Sequence, residues 1–159
     1  MICNICRSDS TSSFKTLDDK TYWSCNVCGC KYLDKSHFID SAEEKQRYLE
    51  HNNKIEDKQY RAFLSRLSDP LKEKISHGSN GLDFGCGSGP ALADMLIQDG
   101  FEVALYDPFF YPNKDVLSQQ YDFITCTETA EHFYDPFKEF NKLNDLLKPG
   151  GWLGVMTSF

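Results

Sequence analysis

The chain has 159 residues, 40% of them hydrophobic, with 24 acidic against 17 basic side chains and a net charge of −7. That is enough for one medium domain, or for one small domain with an appendage. A mean hydropathy of −0.50 and the lack of any long apolar run exclude a membrane-spanning helix, and no basic apolar leader opens the chain, so a cytoplasmic protein is expected. The charge is uneven: residues 1–40 and 41–78 are near balance, whereas residues 79–159 carry four basic and twelve acidic side chains. Such a surface repels phosphate backbones, which disfavours nucleic acid as a substrate.

Residues 1–40 hold Cys3-x-x-Cys6 and Cys25-x-x-Cys28, separated by 18 residues. Each pair can turn two thiolates toward one ion, and two such turns complete a tetrahedron, so Cys3, Cys6, Cys25 and Cys28 are expected to bind one structural zinc. A stretch this short buries little core, and the metal would supply its folding energy. Cys30 is a spare thiol that competes with Cys28, and a redox dithiol is the alternative use of the pairs. Tyr22, Trp23, Tyr32 and Phe38 are placed to cover the site, and such a ribbon also offers a grip for a partner protein.

Residues 41–78 read as helices. Asp40 or Ser41 can cap a first helix with Glu43 and Glu44 in its first turn. Tyr60, Phe63, Leu64, Leu67 and Leu71 then form one apolar stripe, with a break expected at Asp69-Pro70. Residues 79–159 open with Leu82-Asp83-Phe84, the end of a buried strand, followed by Gly85-Cys86-Gly87-Ser88-Gly89 and a helix entered at Pro90. Phe101 to Tyr106 is a second strand and ends in Asp107, 18 residues after Gly89, about where a ribose-binding acid is needed. A dinucleotide fingerprint wants glycine or alanine where Pro90 stands, so the pattern is a different nucleotide turn. An ordinary tight turn with a surface aspartate is the competing reading.

These residues resemble the class I S-adenosylmethionine-dependent methyltransferases. Asp83-Phe84-Gly85-Cys86-Gly87-Ser88-Gly89 is similar to their first motif, and Leu147-Lys148-Pro149-Gly150-Gly151 to the turn before their fifth strand. Tyr121 to Cys126 followed by Glu131-His132 is similar to their fourth strand and the helix beyond it. The paired cysteines, Tyr48-x-x-His51-Asn52-Asn53 and Tyr60 to Leu64 together resemble bacterial methyltransferase-domain proteins with an N-terminal zinc-ribbon-like segment. The resemblance implies an α/β fold with a Rossmann-like parallel sheet of order 2-1-4-5. It implies S-adenosylmethionine contacts at Asp83, Gly85, Cys86, Gly87, Gly89, Asp107, Pro108 and Glu128, with Asp83 near the amino group and Asp107 on the ribose. Tyr48, His51 and Asn53 would reach the cofactor from the preceding helices, or would simply line a solvated helix end.

Beyond Asp107 the chain departs from that family. Only 13 residues, Pro108 to Gln120, precede the next strand, so a loop of shielding aromatics is expected in place of a helix and third strand. Phe137 to Leu147 is an amphipathic helix, and Trp152 to Met156 the last strand. The family's further strands would come after Phe159, so the chain is expected to be a piece of a longer protein.

The expected function is methyl transfer to a small molecule, with His132 as the nearest general base. The alternatives are an RNA methyltransferase whose ribbon holds RNA, and an inactive cofactor-binding subunit. Glu128, Glu131 and His132 also resemble a divalent-metal motif of some O-methyltransferases, which implies a weak Mg²⁺ or Mn²⁺ site if the three share a helix face. A capping acid with a helix-end histidine is the plainer reading.

Overall fold

The computed structural model describes residues 1–38 and 55–157. The first helix expected near Ala42, and Tyr48, His51 and Asn53, lie outside the described residues. The N-terminal segment is a three-stranded antiparallel sheet of β1 (Thr11–Leu17), β2 (Lys20–Cys25) and β3 (Lys31–Leu33), in that order. The β1–β2 turn places Asp18 and Asp19 at φ 48° and 59°, and paired positive φ values are what a tight two-residue hairpin turn demands. A bulge at Phe14 lies between Ser13 opposite Trp23 and Lys15 opposite Tyr22.

The helix α1 (Lys58–Lys72) starts at Asp57, whose carboxylate accepts from the amides of Gln59 and Tyr60. Leu64 and Leu71 on its apolar stripe are buried, and Phe63 and Leu67 pack beside them. The expected break at Pro70 does not occur, and α1 runs through it. Proline removes one ladder bond, and two residues from a helix end that loss interrupts little.

The second sheet is wholly parallel. Its strands are β4 (Asn80–Phe84), β5 (Glu102–Tyr106), β6 (Tyr121–Thr127) and β7 (Leu147–Met156), in the spatial order β5-β4-β6-β7. This is the order 2-1-4-5 of the expected Rossmann-like sheet, counted on that fold's own strands. Both faces are covered, as parallel sheets require. On one face α1 and α2 (Ala91–Gln98) enclose Leu92, Leu96, Phe101 and Phe123. On the other, α3 (Pro136–Leu146) presses Leu143 and Leu146 onto Leu82, Phe84, Ile124 and Cys126. Each large apolar side chain buried in these layers contributes about 1.5–3 kcal/mol. Gly81 makes room in the sheet: a Cβ there would stand 2.1 Å from the Phe123 ring.

Between β5 and β6 the chain forms one 3-10 turn, Lys114–Ser118, and among the described residues no third strand. Its Val116 carbonyl accepts from the Tyr121 hydroxyl at 2.7 Å, which closes the short connection over the core. The strand β7 starts at Leu147, earlier than expected, with Lys148 to Gly151 forming a wide bulge between the Tyr121 and Phe123 registers.

Candidate functional site

The site is built at the carboxyl ends of β4, β5 and β6. After Phe84 the chain turns sharply at Gly85, φ +77°, and the amides of Gly85 and Cys86 both donate to the Tyr106 carbonyl at 2.7 and 3.2 Å. A side chain at Gly85 is excluded twice, by the positive φ and by Thr129, whose methyl would lie 2.3 Å from a Cβ. Thr129 also donates from Oγ1 to the Gly85 carbonyl. Gly87, φ +65°, differs: no heavy atom lies within 4 Å of where its Cβ would stand. The turn therefore opens a cradle at backbone level, directly before α2.

Two buried carboxylates flank this cradle. Asp107 is 6% exposed and accepts three backbone amides, from Gly87 at 3.0 Å and from Phe109 and Phe110 at 2.8 and 3.0 Å. A carboxylate offers about four lone-pair positions, so one remains, on the oxygen facing Gly87. The acid at the end of β5 thus ties the glycine turn to the loop after Asp107 and keeps a single acceptor position. Asp83, 2% exposed, takes the Thr125 hydroxyl at 2.8 Å and a hydrogen bond from the Ala93 amide. Burial pushes its carboxyl up to about 6 against those two donors, and the neighbouring Asp107 adds to the rise. The Cys86 thiol is held far above its ordinary value by burial and both carboxylates, which removes it as a nucleophile.

A cleft of about 1240 Å³ lies over Asp83 and the glycine turn, whereas Asp107, which accepts from the Gly87 amide, is not among the residues that line it. Its floor includes Asp83, Gly85, Cys86, Gly87, Gly89 and Glu128, and Phe110 enters from the loop after Asp107. Pro108 is exposed and stands outside the lining. Glu128, Glu131 and His132 all line the cleft, but not on a common helix face. Glu128 sits at φ 48°, and beyond it the chain forms a single 3-10 turn, Ala130–His132. The expected spacing of side chains on one α-helix therefore does not apply. Among the described residues, the one group gathered closely enough for a metal ion is the cysteine cluster.

That cluster is the one expected from the spacing. The sulfurs of Cys3, Cys6, Cys25 and Cys28 lie within 4.8 Å of one another, with Cys3–Cys28 at 3.7 Å and Cys6–Cys25 at 3.6 Å. A tetrahedral ion with metal–sulfur bonds of about 2.3 Å needs sulfur pairs about 3.8 Å apart, so four thiolates fit. Each Cys-x-x-Cys forms the same knuckle: Arg7 donates to the Cys3 carbonyl and Gly29 to the Cys25 carbonyl, both with positive φ. Amides of Ile5, Val27 and Cys28 point at sulfur, and the Cys28 amide leads in drawing the Cys25 thiol down to about 6. Cys30 is outside the cluster, its thiol directed to the Lys31 carbonyl. Of the aromatics expected to cover the metal, Tyr22, Tyr32 and Phe38 line the cleft, Tyr32 also feels the charge of Cys3 and Cys25, and Trp23 donates to Asp34 at 2.7 Å.

The first knuckle docks on the sheet domain. Arg7 pairs with Asp135, which caps α3, and its guanidinium lies 4.9 Å from the Phe137 ring centroid. The Phe137 amide donates to the Asn4 carbonyl at 3.1 Å, and Phe38 meets Tyr134 edge to face. Sequence reasoning assigns no part to Arg7, Asp135, Thr125 or Thr129. For Phe137 one signal exists: it begins the apolar stripe of α3 yet lies a full turn before the residues that reach the core, Phe140 and Leu143.

Residues 48–159 match the family model described as "Methyltransferase domain", which covers more than half of the chain. No curated relative matches the sequence.

Proposed function

Because the chain belongs to the methyltransferase-domain family and is an S-adenosylmethionine-dependent methyltransferase, we propose that it methylates a small molecule within the cleft between the ribbon and the sheet. The observation that carries this is the Gly87 cradle between two buried carboxylates at the carboxyl end of a parallel sheet, where α/β folds bind their ligands. S-adenosylmethionine, when bound, supplies a methyl carbon on a positive sulfur that leaves as a neutral thioether. Gly85, Gly87 and Gly89 would hold it through backbone, Asp83 would meet its amino group, and Asp107 would take one ribose hydroxyl. Phe110 would cover the adenine.

The chain's own work is alignment and exclusion of water. Methyl transfer forms one bond from the acceptor atom to the methyl carbon as the carbon–sulfur bond breaks, and a proton leaves the acceptor if it started neutral. His132, in the cleft beside Glu131, is the proposed base for that proton. Zinc is the proposed ion of the cysteine cluster, structural because four thiolates leave no open position. Seven cysteines free of disulfides and the absence, among the described residues, of any helix long and apolar enough to cross a membrane fit the proposed cytoplasmic location.

Methyl-labelled S-adenosylmethionine, incubated with the protein and a cell extract split into small-molecule, protein and RNA fractions, tests the reading. Label is expected in the small-molecule fraction and to fall for His132→Ala. Label confined to RNA or protein would contradict it.

A further inference from the structure

The walls of the cleft are segregated by charge. Among the described residues, every acidic side chain that lines it, Asp83, Glu128 and Glu131, comes from the sheet domain, and no lysine or arginine of that domain does so. The ribbon contributes the reverse: Lys20 and Lys31 line the cleft, and none of its described carboxylates does. By strand alternation and the pairing of Tyr22 with Leu33, these lysines share one face of the ribbon with Tyr22 and Leu33. Lys31 Nζ lies 4.7 Å from the Phe14 ring centroid, and among the described residues neither lysine has a carboxylate ion-pair partner. His37 and Phe38 continue the same wall, where Phe38 touches Tyr134 across the cleft. At about 1240 Å³ the space exceeds the roughly 300–1,000 Å³ of a pocket for one drug-sized molecule, leaving room for an acceptor beside a cofactor.

From this we infer that the ribbon wall is the acceptor subsite, and that the acceptor is a small molecule with an anionic group, phosphate or carboxylate, on an apolar or planar body. The inference rests on the methyl-donor reading above. The acidic floor suits a cationic donor and repels an anion. Lys20 and Lys31 attract that anion at the opposite side, so the acceptor enters with its charged end outward and its neutral end toward the methyl group. Tyr22 and Phe38 supply the apolar surface between. The ribbon is then a metal-folded wall of the active site as well as a structural appendage.

Calorimetry on the full chain, zinc-loaded and saturated with S-adenosylhomocysteine, tests this with phenyl phosphate, benzoate and phenol as probes. One or both anions should bind more tightly than phenol, and the tighter names the group. The Lys20→Gln/Lys31→Gln variant should keep its zinc and its S-adenosylhomocysteine affinity but lose about tenfold in anion affinity, while phenol is unaffected. In wild-type protein, added sodium chloride should weaken the anions alone. Anion binding equal in wild type and variant, or no preference over phenol, overturns the inference and leaves the donor reading intact. Failure of S-adenosylhomocysteine to bind overturns both. A single-stranded RNA that binds through the same lysines more tightly than phenyl phosphate would also overturn it, in favour of a nucleic-acid acceptor.

Discussion

Asp83 shows how a single residue is tuned by its surroundings. Its carboxyl, raised to about 6 by burial, holds a proton in the folded state at acidities where an unfolded aspartate, with an ordinary value of 3.8, has already lost it. The folded state binds more protons between those values, so this residue's contribution to stability declines as pH rises from 3.8 to about 6 and is constant above. A cationic amino group needs the carboxylate, which sets the opposite trend for the ligand. S-adenosylmethionine affinity should fall about tenfold per pH unit below 6 and be flat above. Asp83→Asn should abolish that slope, and an unchanged pH profile in the variant would show that another group is responsible. Gly85 and Gly87 make a second residue-scale contrast. Gly85→Ala meets Thr129 and should lower thermal stability, whereas Gly87→Ala meets open space. At Gly87 the backbone cost is about 1–2 kcal/mol, and the larger expected loss is in ligand affinity. Melting curves and S-adenosylhomocysteine titrations of both variants check this, and similar loss of affinity with similar loss of stability would argue against the cradle.

At the scale of elements, the first cysteine knuckle and α3 act as one unit. Arg7 comes directly after Cys6, adopts a positive φ, and reaches Asp135 at the start of α3, while Asn4 accepts the Phe137 amide. Chelation of the metal should unfold residues 1–38 and loosen the 133–137 segment at the rim of the cleft, with the parallel sheet retained because its two cores contain no ribbon residue. Amide hydrogen exchange with and without chelator would record this; unchanged protection at 133–137 would separate the ribbon from the site. Cys30→Ser should retain the metal, and Cys28→Ser should lose it. The elements legible in the sequence have a period or a spacing behind them: the strands, the glycine turn, the stripe of α1 and the paired cysteines. Pro70 misleads because its effect depends on how near the helix end lies. The region after Glu128 misleads because a 3-10 turn and an α-helix share their first residues' pattern. The partners of Asp107 are invisible because backbone amides carry no sequence signature.

Across the whole molecule, the charge imbalance seen in the composition takes on a direction. The acidic half of the chain forms the floor of the cleft, and the balanced N-terminal segment brings two of its four lysines, Lys20 and Lys31, to the same space. No reading of segment totals reveals this, since the five acidic and five basic side chains of residues 1–40 cancel in the sum, while of the described charged ones only Lys20 and Lys31 line the cleft. The fold class and strand order are recoverable from the sequence because a parallel sheet with a glycine turn has few ways to be wound. The docking of the ribbon is not, since among the described residues it rests on the Arg7–Asp135 ion pair, the Phe137-to-Asn4 backbone bond and the ring contacts of Phe137 and Tyr134, between segments far apart in the chain. Whether the Gly87 cradle and Asp107 hold the methyl donor is decided by calorimetric titration of S-adenosylmethionine and of NAD into wild-type protein and Asp107→Asn. That substitution removes the charge and keeps an oxygen for the loop amides. S-adenosylmethionine should bind wild type at one site and lose about 10-fold to 100-fold in the variant, as removal of a charged hydrogen bond costs about 1.5–3 kcal/mol, with NAD binding more weakly throughout. Equal affinities in the two proteins, or tighter binding of NAD, would contradict it.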